Sequence, residues 1–271
     1  MKELYYLYGV ALKEEVQPAS LSEMTGIDGE HELHVWEYGK CAAIVSVVEE
    51  AEYGEEVLEQ KTQQMDWVQD KAFLHHEILM KLKDQATLVP MKFCTIFQNT
   101  SNLEAKIRPC ESEWVKLLEE LSGKEEWNVK IYNNPVLLKE EIAANHPSIQ
   151  KKKEEISQMS KGMQYLQQKK LDQLIDEQVT QEQQSFSKRL HDDWKDLCKD
   201  DVVKKVWNKS VTGKDEEMCW NSAYLIEKEK VEPFLEQVTA ANEEGEAGGW
   251  KIEVTGPWPA YHFSSLSKSE V

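Results

Sequence analysis

Leu4–Leu12 ("LYYLYGVAL") is apolar or aromatic throughout, a pattern that predicts a buried central strand. A polar loop with two glycines follows, "PASLSEMTGIDGEH". "LHVWEYG" and "CAAIVSVVE" then read as two strands joined in a hairpin near Gly39–Lys40. From Val57 to Lys83 the spacing turns helical. Met65, Val68, Ala72, Leu79 and Leu82 can share one face, which Trp67, Phe73 and Ile78 widen. "TLVPMKFCTIF" (Thr87–Phe97) returns to strand character, with Pro90 marking an edge or a bulge. Strand alternation there predicts Phe93 and Phe97 buried on the sheet and Lys92 on its other side. Ser101–Leu121 is helical apart from a break at Pro109, and Ser122–Gly123 ends it. Glu125–Tyr132 alternates as a half-buried strand does. The order β-β-β-α-β-α-β predicts an α+β domain with helices over one face of an antiparallel sheet. A ferredoxin-like arrangement with one added strand fits that order.

Val136 to about Leu197 is helical and heavily charged, interrupted at Asn145–Pro147 and again at Ser160–Gly162. Its last part carries Met163, Leu166, Leu174, Val179, Phe186, Leu190, Trp194 and Leu197, a stripe suited to packing within the chain or to a short coiled coil. "VVKKVWNKS" and "EMCWNSAYLIEK" read as strands, Val231–Glu244 as a helix, and "WKIEVTGPW" as a closing strand. The expected division is a ferredoxin-like α+β domain over 1–134. A domain over 135–271 joins long helices to a small antiparallel sheet and is closed by the terminal "GPWPAYHF". In that segment Gly256 is expected to end the strand. Pro257 and Pro259 hold the chain extended, and Trp258 and Tyr261 are aimed at one surface. The expected docking surface is the helix flank around Phe186–Trp194 or the domain junction.

Composition narrows the function. The chain has 271 residues, 40% of them hydrophobic, with nine Trp and nine Tyr, enough for a real core. A net charge of −18 argues against nucleic acid and against anionic membrane as partners. It suits a soluble chain that handles a sticky partner. Five widely spaced cysteines without a CxxC fit reduced thiols in a cytoplasm. The N-terminus lacks the features of a cleaved leader, and no apolar stretch is long enough to span a bilayer.

Candidate chemistry is sparse. "HELH" (His31–His34) has its histidines three apart in a loop-to-strand region, not four apart on a helix as zinc proteases need. His75 and His76 are adjacent on a helix and point different ways, with no third ligand. No phosphate-binding glycine loop or nucleophile elbow occurs. Neither an enzyme nor a cofactor is expected.

The apolar, rigid stretches carry a resemblance instead. "YLYG" (Tyr6–Gly9) closes the first strand, and "DWVQDKAFLHH" (Asp66–His76) holds Trp67 and His75. "PMKFCTIF" holds Pro90, Lys92, Phe93 and Phe97, and "EWNVK" (Glu126–Lys130) holds Trp127 and Lys130. "SKGMQYL" (Ser160–Leu166) holds Gly162, "NSAYL" (Asn221–Leu225) holds Tyr224, and "GPWPAY" holds Gly256, Pro257, Trp258, Pro259 and Tyr261. In this order they resemble the gas vesicle protein F/L family, closest to the L branch of Bacillus-type clusters. Departures are Lys92 for a frequent Arg, Cys94 for a frequent Gly, Lys161 for a frequent Pro, and Ala260 for the second Pro of "WPPY". The resemblance implies a non-enzymatic accessory protein of gas vesicle formation, cytoplasmic or vesicle-associated. It implies action with the hydrophobic shell protein GvpA and other accessory proteins, and a modified ferredoxin-like N-terminal domain. The alternative is a minor structural component incorporated in the vesicle. The motif residues are the candidate partner-binding or docking positions. The open edge of the first sheet suggests that residues 1–134 alone capture the shell protein.

Overall fold

In the computed structural model, which describes residues 2–265, the first apolar run is strand β1 (Glu3–Leu12). A one-turn helix α1 (Pro18–Leu21) sits within the expected loop, with Pro18 in its first turn, where a missing N–H costs nothing. Strands β2 (Leu33–Tyr38) and β3 (Cys41–Glu49) form the expected hairpin over Gly39 and Lys40. Gly39 has φ 61°, and a Cβ there would collide with the Glu111 carboxylate. That carboxylate accepts the Lys40 amide at 2.8 Å and so holds the turn.

A one-turn helix α2 (Glu50–Tyr53) precedes the expected helix from Val57, which is divided into α3 (Glu55–Lys61) and α4 (Met65–Lys83). At the break the Thr62 hydroxyl donates to the Leu58 carbonyl. The buried face of α4 is His75, Ile78, Leu79 and Leu82. Met65 and Phe73, expected inward, are 68% and 63% exposed. Phe73 stands two residues from His75, hence across the helix from it.

The strand expected over Thr87–Phe97 is two short pieces, β4 (Leu88–Pro90) and β5 (Ile96–Phe97), around a turn. Within the turn Cys94 has φ 62°. Phe93 therefore leaves the ladder, and both it and Phe97 are half-buried. Helices α5 (Thr100–Ile107) and α6 (Glu111–Leu121) flank the break at Pro109. The Asn99 side chain caps α5 by accepting the Asn102 amide at 2.8 Å.

The first sheet runs β2-β3-β1-β4, with β5 also on β1, and these pairings are antiparallel. Helices cover both of its faces, not one. Leu4, Tyr6, Tyr8, Ile44 and Val48 pack with Ile78, Leu79 and Leu82 of α4. The residues between them on β3 turn to the opposite side, where the Cys41 thiol meets the Glu111 carbonyl of α6. This is why β1 is apolar without alternation.

Strand β6 (Lys124–Asn133) leads to α7 (Pro135–Asn145), α8 (Pro147–Ser157) and α9 (Lys161–Lys195). The two helix interruptions fall where expected. Asn134 caps α7 through the Val136 and Leu137 amides. Then come β7 (Asp200–Val203), α10 (Lys209–Thr212), β8 (Glu217–Glu227), α11 (Val231–Gly245) and β9 (Trp250–Trp258). The second sheet runs β7-β8-β6-β9. Its core joins Val129 and Ile131 to Leu171, Ile175, Trp194, Tyr224 and Phe234. Helix α9, about 52 Å long at 1.5 Å per residue, packs on α7, α8, β8 and α11.

The chain separates into two compact units. One is Met1–Glu126 together with the terminal segment from Pro257, and the other is Trp127–Gly256. This division differs from a cut at residue 134 in two segments. Residues 127–134 go with the second unit, and the tail returns to the first.

Candidate functional site

The motif residues of the first unit gather around α4. Trp67, half-buried, lies 6.4 Å from the Tyr53 ring and 6.1 Å from Phe93. His75 is buried, with its ring 5.9 Å from Phe93. Its Nδ1 meets the Tyr6 hydroxyl at 2.9 Å and its Nε2 the Met91 carbonyl at 3.3 Å. Nε2 can only donate to that carbonyl, so Nδ1 accepts the Tyr6 proton. Tyr6 Oη in turn accepts the Cys94 amide at 3.0 Å. His75 thus ties α4 to β1 and to the turn after β4. Burial holds its pKa down to about 4, so the ring is neutral at physiological pH. Pro90 is buried opposite Gly9, where a Cβ would lie 2.6 Å from Leu88 Cδ1. Phe97 pairs with Tyr5, and Lys92 is exposed.

Of the two docking surfaces expected for the terminal segment, the helix flank around Phe186 is not the one it meets. Strand β9 runs through Gly256 and Pro257 to Trp258 instead of ending at Gly256. Gly256 has φ 150°, a value side chains disfavour, and so lets the strand continue into the proline pair. The Trp258 ring lies 5.0 Å from His76 of α4, and the Tyr261 hydroxyl bonds His76 Nδ1 at 2.9 Å. Pro259 and Phe263 are buried. Glu126, buried, accepts the His262 amide at 2.8 Å and faces His262 Nδ1 at 2.7 Å. The expected surface around Phe186 is occupied by Trp250, stacked on Phe186 at 3.9 Å.

In the second unit Trp127 and Lys130 lie half-buried on β6. Tyr224 is fully buried on β8, and its hydroxyl bonds His191 Nδ1 of α9 at 2.7 Å. His191 Nε2 stands 3.3 Å from Asp201. This tyrosine–histidine–aspartate chain resembles a catalytic relay, but the hydroxyl is sealed in the core. Its role is to tie α9, β7 and β8 together. Gly162 stands in open space at the start of α9.

Sequence reading quotes His76 and Glu126 only at the ends of motifs, with no partner for either, and misses His191, Asp201 and His262. Each is polar and acts through a partner on another element, from His191 for Asp201 to a residue 136 positions away for Glu126 and His262, so no local repeat marks them. It also missed the exposed apolar surface. Trp36 on β2 is 38% exposed, while Tyr165 and Leu166 on α9 are 82% and 62% exposed. Trp207 and Val211 lie outward near β7.

Burial pushes the thiols of Cys41 and Cys94 up to about 11, and those of Cys198 and Cys219 up to about 12. They stay protonated at neutral pH and are poor nucleophiles. Among the described residues no three His, Cys, Asp or Glu side chains converge as metal ligands would. No helix there is long and apolar enough to cross a membrane.

The geometry is that of a two-unit α+β protein whose singled-out aromatics, histidines and prolines mostly join elements to one another. The sequence model of the family described as "Gas vesicle synthesis protein GvpL/GvpF" matches residues 4–265, and the chain belongs to that family. It is 24% identical to gas vesicle protein L of a Streptomyces species over 91% of this chain and 88% of that protein. It is 22% identical to gas vesicle protein F1 of Halobacterium salinarum over 98% and 95%. Its fold matches the crystal structure of GvpF from Anabaena sp. PCC7120 with a TM-score of 0.74 at 18% identity, covering 99% of this chain and all of that one. GvpF from Microcystis aeruginosa matches with a TM-score of 0.68 at 19% identity over 98% of this chain.

Proposed function

We propose that this chain is a cytoplasmic, vesicle-associated assembly factor of gas vesicle formation. It binds the hydrophobic shell protein GvpA and other gas vesicle accessory proteins, and it acts without catalysis or cofactor. Nucleic acid and lipid bilayer are not its partners. The observation that carries the binding reading is the edge strand β2. Among the described residues it forms a ladder only with β3, and it presents Trp36 outward on an otherwise acidic chain. An open edge of this kind can accept a strand from a partner, with main-chain bonds supplying affinity and the indole an apolar contact. The order β2-β3-β1-β4 supports a modified ferredoxin-like first unit, with α1 standing for the first crossover helix.

Co-purification of GvpA with the full chain tests this reading. Capture is expected with the native chain and reduced at least about fivefold by Val35→Pro, which blocks the edge, or by Trp36→Glu. Undiminished capture by both variants would move the site off β2. The second reading, a minor component built into the vesicle, rests on the same family membership. Washing isolated vesicles separates the two: an assembly factor leaves with the soluble fraction, whereas an incorporated component stays.

A further inference from the structure

The first ten residues of α9 bury nothing, and the buried stripe begins at Leu171. Within that free end Met163, Tyr165 and Leu166 are 46%, 82% and 62% exposed. Lys161, Lys169 and Lys170 surround them, all exposed and, among the described residues, without an ion pair. At 100° per residue Tyr165 and Leu166 flank the pole of the helix opposite Leu171, with Lys161 and Lys169 beside the tyrosine and Lys170 beside the leucine. Asp172, the acidic residue nearest on this helix, takes a bond from the Gln168 amide at 3.4 Å. The result is an apolar knob ringed by positive charge on a chain of net charge −18.

The same chain carries the opposite shape. An open cleft of about 640 Å³ lies beside α3 and β5 in the first unit. Leu4, Val57, Leu58 and Ile96 give it apolar walls, and Glu55 and Glu56 stand in its lining. Both carboxylates are exposed and, among the described residues, without an ion pair. A third, Glu50, is paired with Lys2 at 2.5 Å.

We propose that the α9 knob of one copy of this chain docks in the Glu55–Glu56 cleft of another. Sign and polarity match on both sides: the rings and aliphatic chains of Tyr165 and Leu166 meet apolar walls, and lysines meet glutamates at the margin. Repulsion between two acidic copies acts at long range and is screened beyond about 8 Å at physiological ionic strength, so the local pairing decides. The two patches differ, so the contact is head-to-tail and builds chains or rings. The patch is small, which makes the association weak and dependent on concentration.

Sedimentation velocity of the full chain from roughly 10 to 500 µM tests the proposal. The native chain is expected to gain apparent mass with concentration. Lys161→Glu with Lys169→Glu and Lys170→Glu should weaken association at least about tenfold, and so should Glu55→Lys with Glu56→Lys. All these positions are exposed, and unchanged melting midpoints confirm that both variants fold. Mixing the two variants should restore association, because the acidic knob of one then faces the basic cleft of the other. A native chain that stays monomeric over this range would overturn the proposal. So would a native oligomer that both variants preserve, or a mixture that stays as monomeric as its parts.

Discussion

Cys94 holds φ 62°, a conformation that costs an L side chain about 1–2 kcal/mol and glycine little. It stands where the resembling pattern often has Gly, and the reason is now visible: the turn between β4 and β5 needs left-handed backbone there. Cys94→Gly is expected to raise the melting midpoint by a degree or more, equivalent to a few tenths to about 1 kcal/mol after the added chain entropy is set against it. A lower midpoint would mean that the half-buried thiol contributes more than the turn costs. His75 makes the pH prediction. Its folded pKa, about 4 because of burial, lies below its unfolded value of about 6.5. The unfolded chain therefore binds more protons between those values. Stability from this group is complete above about pH 6.5 and is lost as pH falls toward 4, by roughly 2–3 kcal/mol. Thermal melts of the native chain and His75→Gln across this window should draw together as pH falls. Parallel curves would deny the group this role.

The terminal segment is best understood as an element. Two prolines hold it extended, so docking costs little chain entropy. Trp258, Tyr261 and His262 are spent on His76 and Glu126 of the first unit. Among the described residues, removing the ring in His262→Ala leaves one bond to the buried Glu126 carboxylate, the backbone amide at 2.8 Å. The expected loss is about 1–3 kcal/mol, below that of a fully buried pair because the histidine is partly exposed. Faster chymotryptic cleavage after Tyr261, together with a lower melting midpoint, would show the segment released. An unchanged digestion pattern would mean that the apolar contacts of Pro259 and Phe263 suffice to hold it.

For the whole molecule the second unit is an insertion, entered after Glu126 and left before Pro257. Both sheets place their four main strands alike in chain order, as β2-β3-β1-β4 and β7-β8-β6-β9. A fragment of residues 1–134 keeps Glu126 but loses His262. It is therefore expected to melt well below a chain of residues 1–126 joined by a short flexible linker to 257–265. Equal midpoints would show that the tail contributes nothing to the first unit. The same comparison bears on partner capture, because failure of the bare fragment to bind would reflect its folding and not its edge strand.

Local chemistry settled what local chemistry can. The unbroken apolar run of β1, the hairpin at Gly39, the break at Pro109 and the helix interruptions near Pro147 and Gly162 all follow from side-chain periodicity and backbone preference within a few residues. So does family membership, which the ordered motifs already signalled. Three things depended on the tertiary structure. Pro90–Phe97 is a turn between two short strands because Met91 and Thr95 bond back to β1, and the local pattern of a turn and an edge strand is the same. The tail closes on α4 and the start of β6 because His76 and Glu126 wait there, partners more than 130 residues away in sequence. Which aromatics face water was likewise undecided: Tyr165 and Trp194 sit at similar helical spacings, yet the first ten residues of α9 bury nothing, so the first is exposed and the second buried. Periodicity reports that a residue has a face, whereas the packing of distant elements decides what that face meets.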